Sequence, residues 1–241
     1  ALVALTIAGL ALKAAASDKP VKVFILAGQS NMEGQGLIEL DGRRAEGYKK
    51  RGLSEEAIAR KRRGSLESLV RDPAKADAYK HTVDKDGGWI VRQDVRVSYQ
   101  RGRGGLKEGG LTVGFGSRDE VIGPEFQFGH IMGDHCDEPV LLIKTAWGGK
   151  SLALNFRPPG AGKPSFEIKP LRDGSIPEPG EYYRLMMRQV EQVLDTIKKH
   201  FPDHEVPGYE IAGFCWHQGW NDGCDEAFSE EYEKNMPIFI R

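Results

Sequence analysis

The sequence predicts an α/β fold, a parallel sheet with helices on both faces, and two observations carry the prediction. Three continuous apolar runs of strand length, Val21 to Leu26, Val140 to Lys144 and Ile211 to Trp216, read as strands covered on both sides. Segments with apolar residues at helical spacing lie between them, and strands that alternate with helices form parallel sheets. With 241 residues the chain suits one domain able to bury a substantial core. Its 34 Lys and Arg nearly balance 35 Asp and Glu, leaving a net charge of −1. No global field then draws it to nucleic acid or acidic lipid.

Taken in order, residues 1–12 form an apolar run, and after Lys13 come the small residues Ala14-Ala15-Ala16, the pattern of a signal peptide cleaved after Ala16. The run is too short to span a bilayer as a helix. It predicts a secreted or periplasmic protein whose single domain occupies 17–241. The first strand then enters a sharp turn, Gly28-Gln29-Ser30-Asn31-Met32. Ligands of α/β sheets gather at the carboxyl ends of strands, which puts Ser30 where a nucleophile belongs. Ser and Asn also cap helices, so this turn alone leaves both readings open.

A long excursion, Gly34 to about Gly123, separates the first two strands and is expected to shape a site. Arg43 to Lys80 mixes both charge signs and reads as one or two solvated helices, with a basic partner-binding patch as the alternative. Trp89 to Val97 alternates like an edge or hairpin strand, and Asp94 within it is a candidate to line the site. The glycines from Gly102 to Gly116 lack a strand-then-helix context, so they form no phosphate loop.

Gly123-Pro124-Glu125 starts a helix that runs through Phe128 and Ile131 toward His135, with Pro just inside it and Glu125 in the first turn. His130 and His135 read as surface or cap residues. The second strand ends in Trp147-Gly148-Gly149-Lys150-Ser151. Asn155 to Gly180, rich in Pro and Gly, reads as a second site-shaping loop, ordered in part. Leu185, Met186, Val190, Val193, Leu194 and Ile197 recur at helical spacing across Glu181 to His200, where Phe201-Pro202 ends the helix. His200 and His204 belong with the cap and surface residues. The third strand runs into Trp216-His217-Gln218-Gly219-Trp220-Asn221-Asp222. Cys136, Cys215 and Cys224 lack zinc-site spacing and are too few for a disulfide framework, although Cys215 and Cys224 are placed to pair across a loop.

Three strand ends thus offer a serine, a flexible glycine pair and an amide-rich turn. Acyl transfer needs these parts: a hydroxyl to attack, and fixed donors where the carbonyl oxygen becomes an oxyanion. Glycine admits close backbone approach, and an amide side chain is a neutral donor that keeps its proton.

Gly28-Gln29-Ser30-Asn31-Met32, Trp147-Gly148-Gly149 and Gly219-Trp220-Asn221-Asp222, in that order, resemble the blocks of the SGNH hydrolases. The resemblance is to the sialate O-acetylesterase-like and acetyl xylan esterase branch, and it covers almost everything after the first segment, Gly123-Pro124-Glu125 included. It implies a three-layer α/β/α sandwich and ester hydrolysis at a serine, with no metal or other cofactor and with acetylated sugars as substrates. Carried over, Ser30 is the nucleophile, and the N–H groups of Ser30 and Gly149 with the Asn221 side chain form the oxyanion hole. Gln218 is a second candidate donor. Gln29, Trp147 and Trp220 are expected against the substrate, since aromatic faces stack on sugar rings.

Two departures stand out. Trp220 occupies a position where many relatives carry Glu. The Asp-x-x-His pattern that supplies the base in the family occurs nowhere in the 241 residues. The base is therefore expected beyond residue 241, in a chain truncated before its last strands and with the third strand's edge unpaired. His217 is the substitute, although a structural role fits it better. The alternative function is a saccharide-binding protein on the same fold without turnover.

Overall fold

In the computed structural model, which describes residues 19–102 and 104–241, the chain opens with strand β1 (Val21–Gly28) and the one-turn helix α1 (Ser30–Glu33). The predicted signal segment lies outside the described residues. Next come β2 (Gly36–Leu37) and the short helices α2 (Gly42–Lys50), α3 (Glu55–Arg63), α4 (Leu66–Arg71) and α5 (Ala76–Tyr79). A hairpin of β3 (Arg92–Arg101) and β4 (Gly105–Leu111) and the short β5 (Val121–Ile122) complete the excursion. The remainder is α6 (Pro124–His135), β6 (Val140–Ala146), α7 (Glu181–Asp195), α8 (Ile197–His200), β7 (Tyr209–His217) and α9 (Glu226–Phe239).

The main sheet has the order β4-β3-β6-β1-β7. β1 lies at its heart, parallel to β6 on one side and β7 on the other. β3 runs parallel to β6, and β4 pairs antiparallel with β3. All seven residues of β6 are buried, which explains why its sequence is a run and not an alternation. One face of the sheet packs Phe24, Leu26, Val97, Tyr99 and Leu142 with Met32 and the partly buried Phe128 and Met132 of α6. The other packs Val21, Val23, Leu141 and Ile143 against Val190 and Ile197 of α7 and α8, while Ala27, Trp147 and Phe156 meet Met186, Tyr232 and Phe239. Helices on both faces make this the expected α/β/α sandwich. Each fully buried aliphatic side chain contributes about 1.5–3 kcal/mol.

Several expectations need correction. Among the described residues the sheet already holds five strands, because the excursion supplies two; β3 forms the hairpin expected there but, with β6 on its other side, is not an edge. The Arg43 to Lys80 region forms four short helices. α2, α3 and α4 start at true caps, where Asp41, Ser54 and Ser65 accept from the backbone of Arg44, Ala57 and Ser68. The long helix breaks at Thr196, whose hydroxyl donates back to Gln192 O at 2.9 Å, separating α7 from α8. All three cysteines are free, so Cys215 and Cys224 do not pair. Among the described residues no helix is long and apolar enough to cross a membrane.

The loop after β6 is tied to α9 by a buried ion pair. Arg157 donates to Glu231 Oε2 at 2.7 Å and to the carbonyls of Ala153, Ala161, Gly162 and Lys163, while Ser165 donates to Glu231 Oε1. A Pro- and Gly-rich stretch thereby gains a fixed path without regular structure. Among the described residues β7 lies at the edge of the sheet, with Ile211 47% and Phe214 44% exposed.

Candidate active site

Gly28 closes β1 at φ +154°, and a Cβ there would lie 2.3 Å from His217 O. Only glycine lets the ends of β1 and β7 meet so closely. Gln29 N then donates to His217 O at 3.2 Å, and the chain turns at once into α1, with Glu33 N on Gln29 O at 2.8 Å. Ser30, half-buried, is the first residue of α1, so its N–H has no acceptor within the helix.

The glycine block arrives beside it because Trp147 N donates to Gly28 O at 3.1 Å. A Cβ on Gly148 would sit 2.9 Å from Glu33 Oε2 and 3.9 Å from Ser30 Cβ, so this backbone passes directly along the serine. Gly149 follows at φ +69° and is exposed, with open space where a Cβ would stand.

Gln29 joins the third block to the first. Its Oε1 accepts from Gln218 Nε2 at 3.1 Å, Gly219 N at 3.2 Å and Asn221 N at 3.1 Å. Three converging donors fix which end of the amide is oxygen. Gln29 is only 2% exposed, so its expected contact with substrate is replaced by an internal role, holding the asparagine turn against the Ser30 turn. Gln218 is also revised. Its amide nitrogen donates to Gln29 Oε1, to Lys150 O at 3.0 Å and to Asp222 Oδ2, which occupies both hydrogens and leaves none for an oxyanion. Asn221 is thereby the amide side chain of this turn left available. Asp222, 1% exposed, accepts from Leu152 N at 3.0 Å and Ala153 N at 2.8 Å, locking the loop after the glycine block. Burial pushes its carboxyl up, against the pull of these donors.

Trp147, also expected on the substrate, is 4% exposed and packs edge-on against Tyr182 at 5.2 Å. Trp220 is 75% exposed and free to meet a ligand. A cleft of about 410 Å³ opens next to Gly149 and Asn221, walled by Phe166 and Phe228, with Lys150 and Asp225 at its margin.

Beneath the Ser30 turn lies a charged pair that sequence reasoning missed. Lys144 Nζ, fully buried, donates to Glu125 Oε2 at 2.5 Å, Glu33 O at 2.7 Å and Phe115 O at 2.8 Å. Glu125 Oε1 accepts from Gly123 N at 2.8 Å. Burial pushes both groups toward neutrality, Lys144 down and Glu125 up, and their mutual attraction opposes it. Glu125 is thus a buried ion-pair partner as well as a first-turn acid. Its signal was Lys144 itself, a cation closing an otherwise apolar run.

Glu33 was also missed, although it stands one helical turn after Ser30. Burial raises its carboxyl above the usual range, while the Gly148 N–H and the Lys144 and Lys150 charges draw it down. The Tyr99 hydroxyl, beside it, donates to Ala146 O at 3.1 Å.

Other candidates fall away from this centre. Asp94 pairs with Arg92 at 2.5 Å near the amino end of β3, the opposite end of the parallel strands. His130 is buried, not at the surface, with its ring edge-on to Phe126 at 4.9 Å, and burial pushes it down to about 4. His200 is likewise buried, beside Glu108. His217 is exposed at the end of β7, and its main chain supports Gln29. Among the described residues no hydrogen bond joins a histidine to Ser30 Oγ.

No curated protein matches the chain. Among solved structures it is similar to a protein from Arabidopsis thaliana, at 15% identity and a TM-score of 0.46, over 92% of this chain and 67% of that one. It is also similar to a carbohydrate acetylesterase from Xanthomonas citri, at 12% identity and a TM-score of 0.38, over 90% of this chain and 37% of that one. The family described as "Carbohydrate esterase, sialic acid-specific acetylesterase" matches residues 20–241, nearly all of the sequence. The serine, glycine and asparagine turns at the carboxyl end of this sheet therefore belong to a member of that carbohydrate esterase family.

Proposed function

We propose that the protein removes O-acetyl groups from carbohydrates through an acyl-enzyme on Ser30. Ser30 Oγ attacks the acetyl carbonyl, and the sugar hydroxyl leaves with a proton. Water then attacks the acetyl-serine and releases acetate. The N–H groups of Ser30 and Gly149 and the Asn221 side chain take the oxyanion, and Trp220 and the cleft beside Asn221 take the sugar. The observation that carries this reading is the Gln29 side chain, whose one oxygen gathers the asparagine turn onto the nucleophile turn. The base is the part that rests on resemblance alone, a histidine in an Asp-x-x-His pattern that these 241 residues do not contain.

Acetate release from acetylated xylo-oligosaccharides and from O-acetylated sialic acid tests the reading. Ser30→Ala is expected to abolish release, and Asn221→Ala to lower kcat about 10²–10³-fold, the usual cost of one oxyanion donor. Turnover that survives Ser30→Ala overturns the nucleophile assignment. The second reading is a saccharide-binding protein on the same fold without turnover. Saccharide binding with no acetate released by the complete protein, base included, would support it. Release lost in His217→Ala, with folding intact, would move the base to His217.

A further inference from the structure

Between residues 41 and 64, which hold α2 and α3, nine Arg and Lys stand against four Asp and Glu, a net charge of +5 in a chain whose total is −1. The rest of the sequence is then net −6, so the molecule is strongly sided in charge although it lacks a global field. The cations fall in two runs, Lys49-Lys50-Arg51 at the end of α2 and Arg60-Lys61-Arg62-Arg63 at the end of α3, and every one of them is exposed. Folding joins the runs at one ring: Arg51 Cζ lies 4.8 Å and Lys61 Nζ 5.2 Å from the centre of Tyr48. Arg62 comes to the same place, because the Lys49 ammonium, stabilised by Glu55, is opposed by the Arg62 charge. Lys49 pairs with Glu55 at 2.5 Å, but among the described residues Lys50, Arg60, Arg62 and Arg63 have no carboxylate partner. A helix end favours cations in its last turn, yet so many close together repel one another, and an anionic partner relieves that repulsion. From beneath, the two helices are held by Ala45 and Ile58, which pack with Leu37, Leu40 and Val121.

What the patch lacks defines its partner. A protein interface is built round aromatic and aliphatic anchors, and none of the large apolar side chains exposed among the described residues lies between 41 and 64. A small phosphate-bearing ligand needs donors that converge, whereas four consecutive positions of α3 splay their cations about 100° apart around the helix. Single-stranded nucleic acid stacks its bases on aromatic rings, and Tyr48, the one aromatic residue of the segment, is half-buried under Arg51 and Lys61. A duplex takes a helix into its groove, where the exposed Glu55 and Glu56 of the first turn of α3 would meet phosphates. An anionic bilayer makes none of these demands. It presents many phosphates in one plane to exposed cations and needs neither a groove nor an inserted apolar group.

We propose that the joined ends of α2 and α3 form a docking surface for anionic phospholipid bilayers, holding the protein at the membrane by charge alone. The surface is independent of Ser30 and of the chemistry there. The experiment is flotation of the chain with vesicles of phosphatidylcholine alone and of phosphatidylcholine with about 25% phosphatidylglycerol, at about 0.05 M and about 0.5 M salt. In a density gradient bound protein rises with the vesicles and aggregated protein does not. The chain is expected to float with the anionic vesicles at low salt, to leave them at high salt, and to ignore the neutral ones.

Arg60→Gln, Arg62→Gln and Arg63→Gln together are expected to lower partitioning on the order of 100-fold, at about fivefold per charge. Lys85→Gln, Arg172→Gln and Lys198→Gln together, at exposed positions outside the patch, change the net charge equally and are expected to leave partitioning near that of the wild type. Circular dichroism checks that both variants fold. No flotation with anionic vesicles, equal flotation with neutral ones, or binding that survives high salt would each overturn the proposal. So would a folded Arg variant that binds as the wild type does, or an equal loss in the control variant. Tighter binding to a DNA duplex or a sulfated polysaccharide than to the anionic vesicles, at the same salt, would give the patch to that partner and overturn the lipid assignment.

Discussion

At the scale of single residues, Glu33 decides how well the glycine block is held beside Ser30. Its carboxylate receives the Gly148 N–H, and a neutral acid would accept that bond less strongly. Because burial raises this carboxyl above its ordinary value, it takes up a proton at a pH where exposed carboxylates are still ionised. Activity is therefore expected to fall as pH drops through that raised value. Glu33→Gln should lower kcat about tenfold, as a charged acceptor becomes neutral, and flatten the acid limb of the kcat profile. Stability has the opposite sign. A carboxyl whose pKa is higher in the folded state binds more protons there, so its ionised form costs stability above that pKa. Glu33→Gln should raise Tm at neutral pH, with the gain shrinking as pH falls through that raised value and gone below the ordinary carboxylate range. A variant with unchanged kcat at every pH would remove Glu33 from the positioning of the glycine block. Ser30 and Asn221 were nominated from the sequence because acyl transfer calls for their residue types. The true task of Gln218 was not, since it depends on Lys150 O and Asp222, which only the folded chain brings to its amide.

At the scale of elements, the interior strands were legible because a strand covered on both faces is written as an unbroken apolar run. β4 was not, with Gly105, Gly109 and Gly110 among its residues and a mostly open face. Nor was α9, where Asp225 caps the start and Pro237 sits in the last turn. β7 shows how the two kinds differ in consequence. Its sequence is as apolar as that of β1, yet among the described residues it lies at the sheet's edge with Ile211 and Phe214 exposed. An unprotected apolar edge pairs with other chains, and natural edges counter this with charge. Ile211→Lys is expected to reduce concentration-dependent light scattering of the purified chain while changing Tm little. Equal scattering before and after the change would locate self-association elsewhere.

At the scale of the whole molecule, Lys144 is the point where distant segments meet. It belongs to β6, and its three partners come from α1, α6 and the loop around Phe115. Breaking a buried pair from one side strands the other charge, so Lys144→Met is expected to cost about 3–5 kcal/mol in urea unfolding. Lys144→Met combined with Glu125→Leu should recover most of that loss, because no charge is then left in the interior. A single variant as stable as the wild type would show that the pair carries no such penalty. The same ammonium also sets an order of events in time. Residues 33, 115 and 125 are far apart in sequence, and until all three have gathered, water is the only partner that satisfies this cation. Its dehydration then belongs to the last stage of folding, after the sheet has paired. In kinetic terms Lys144→Met should hasten unfolding and leave refolding nearly unchanged, so that the floor beneath Ser30 is the last part of the protein to close and the first to let go.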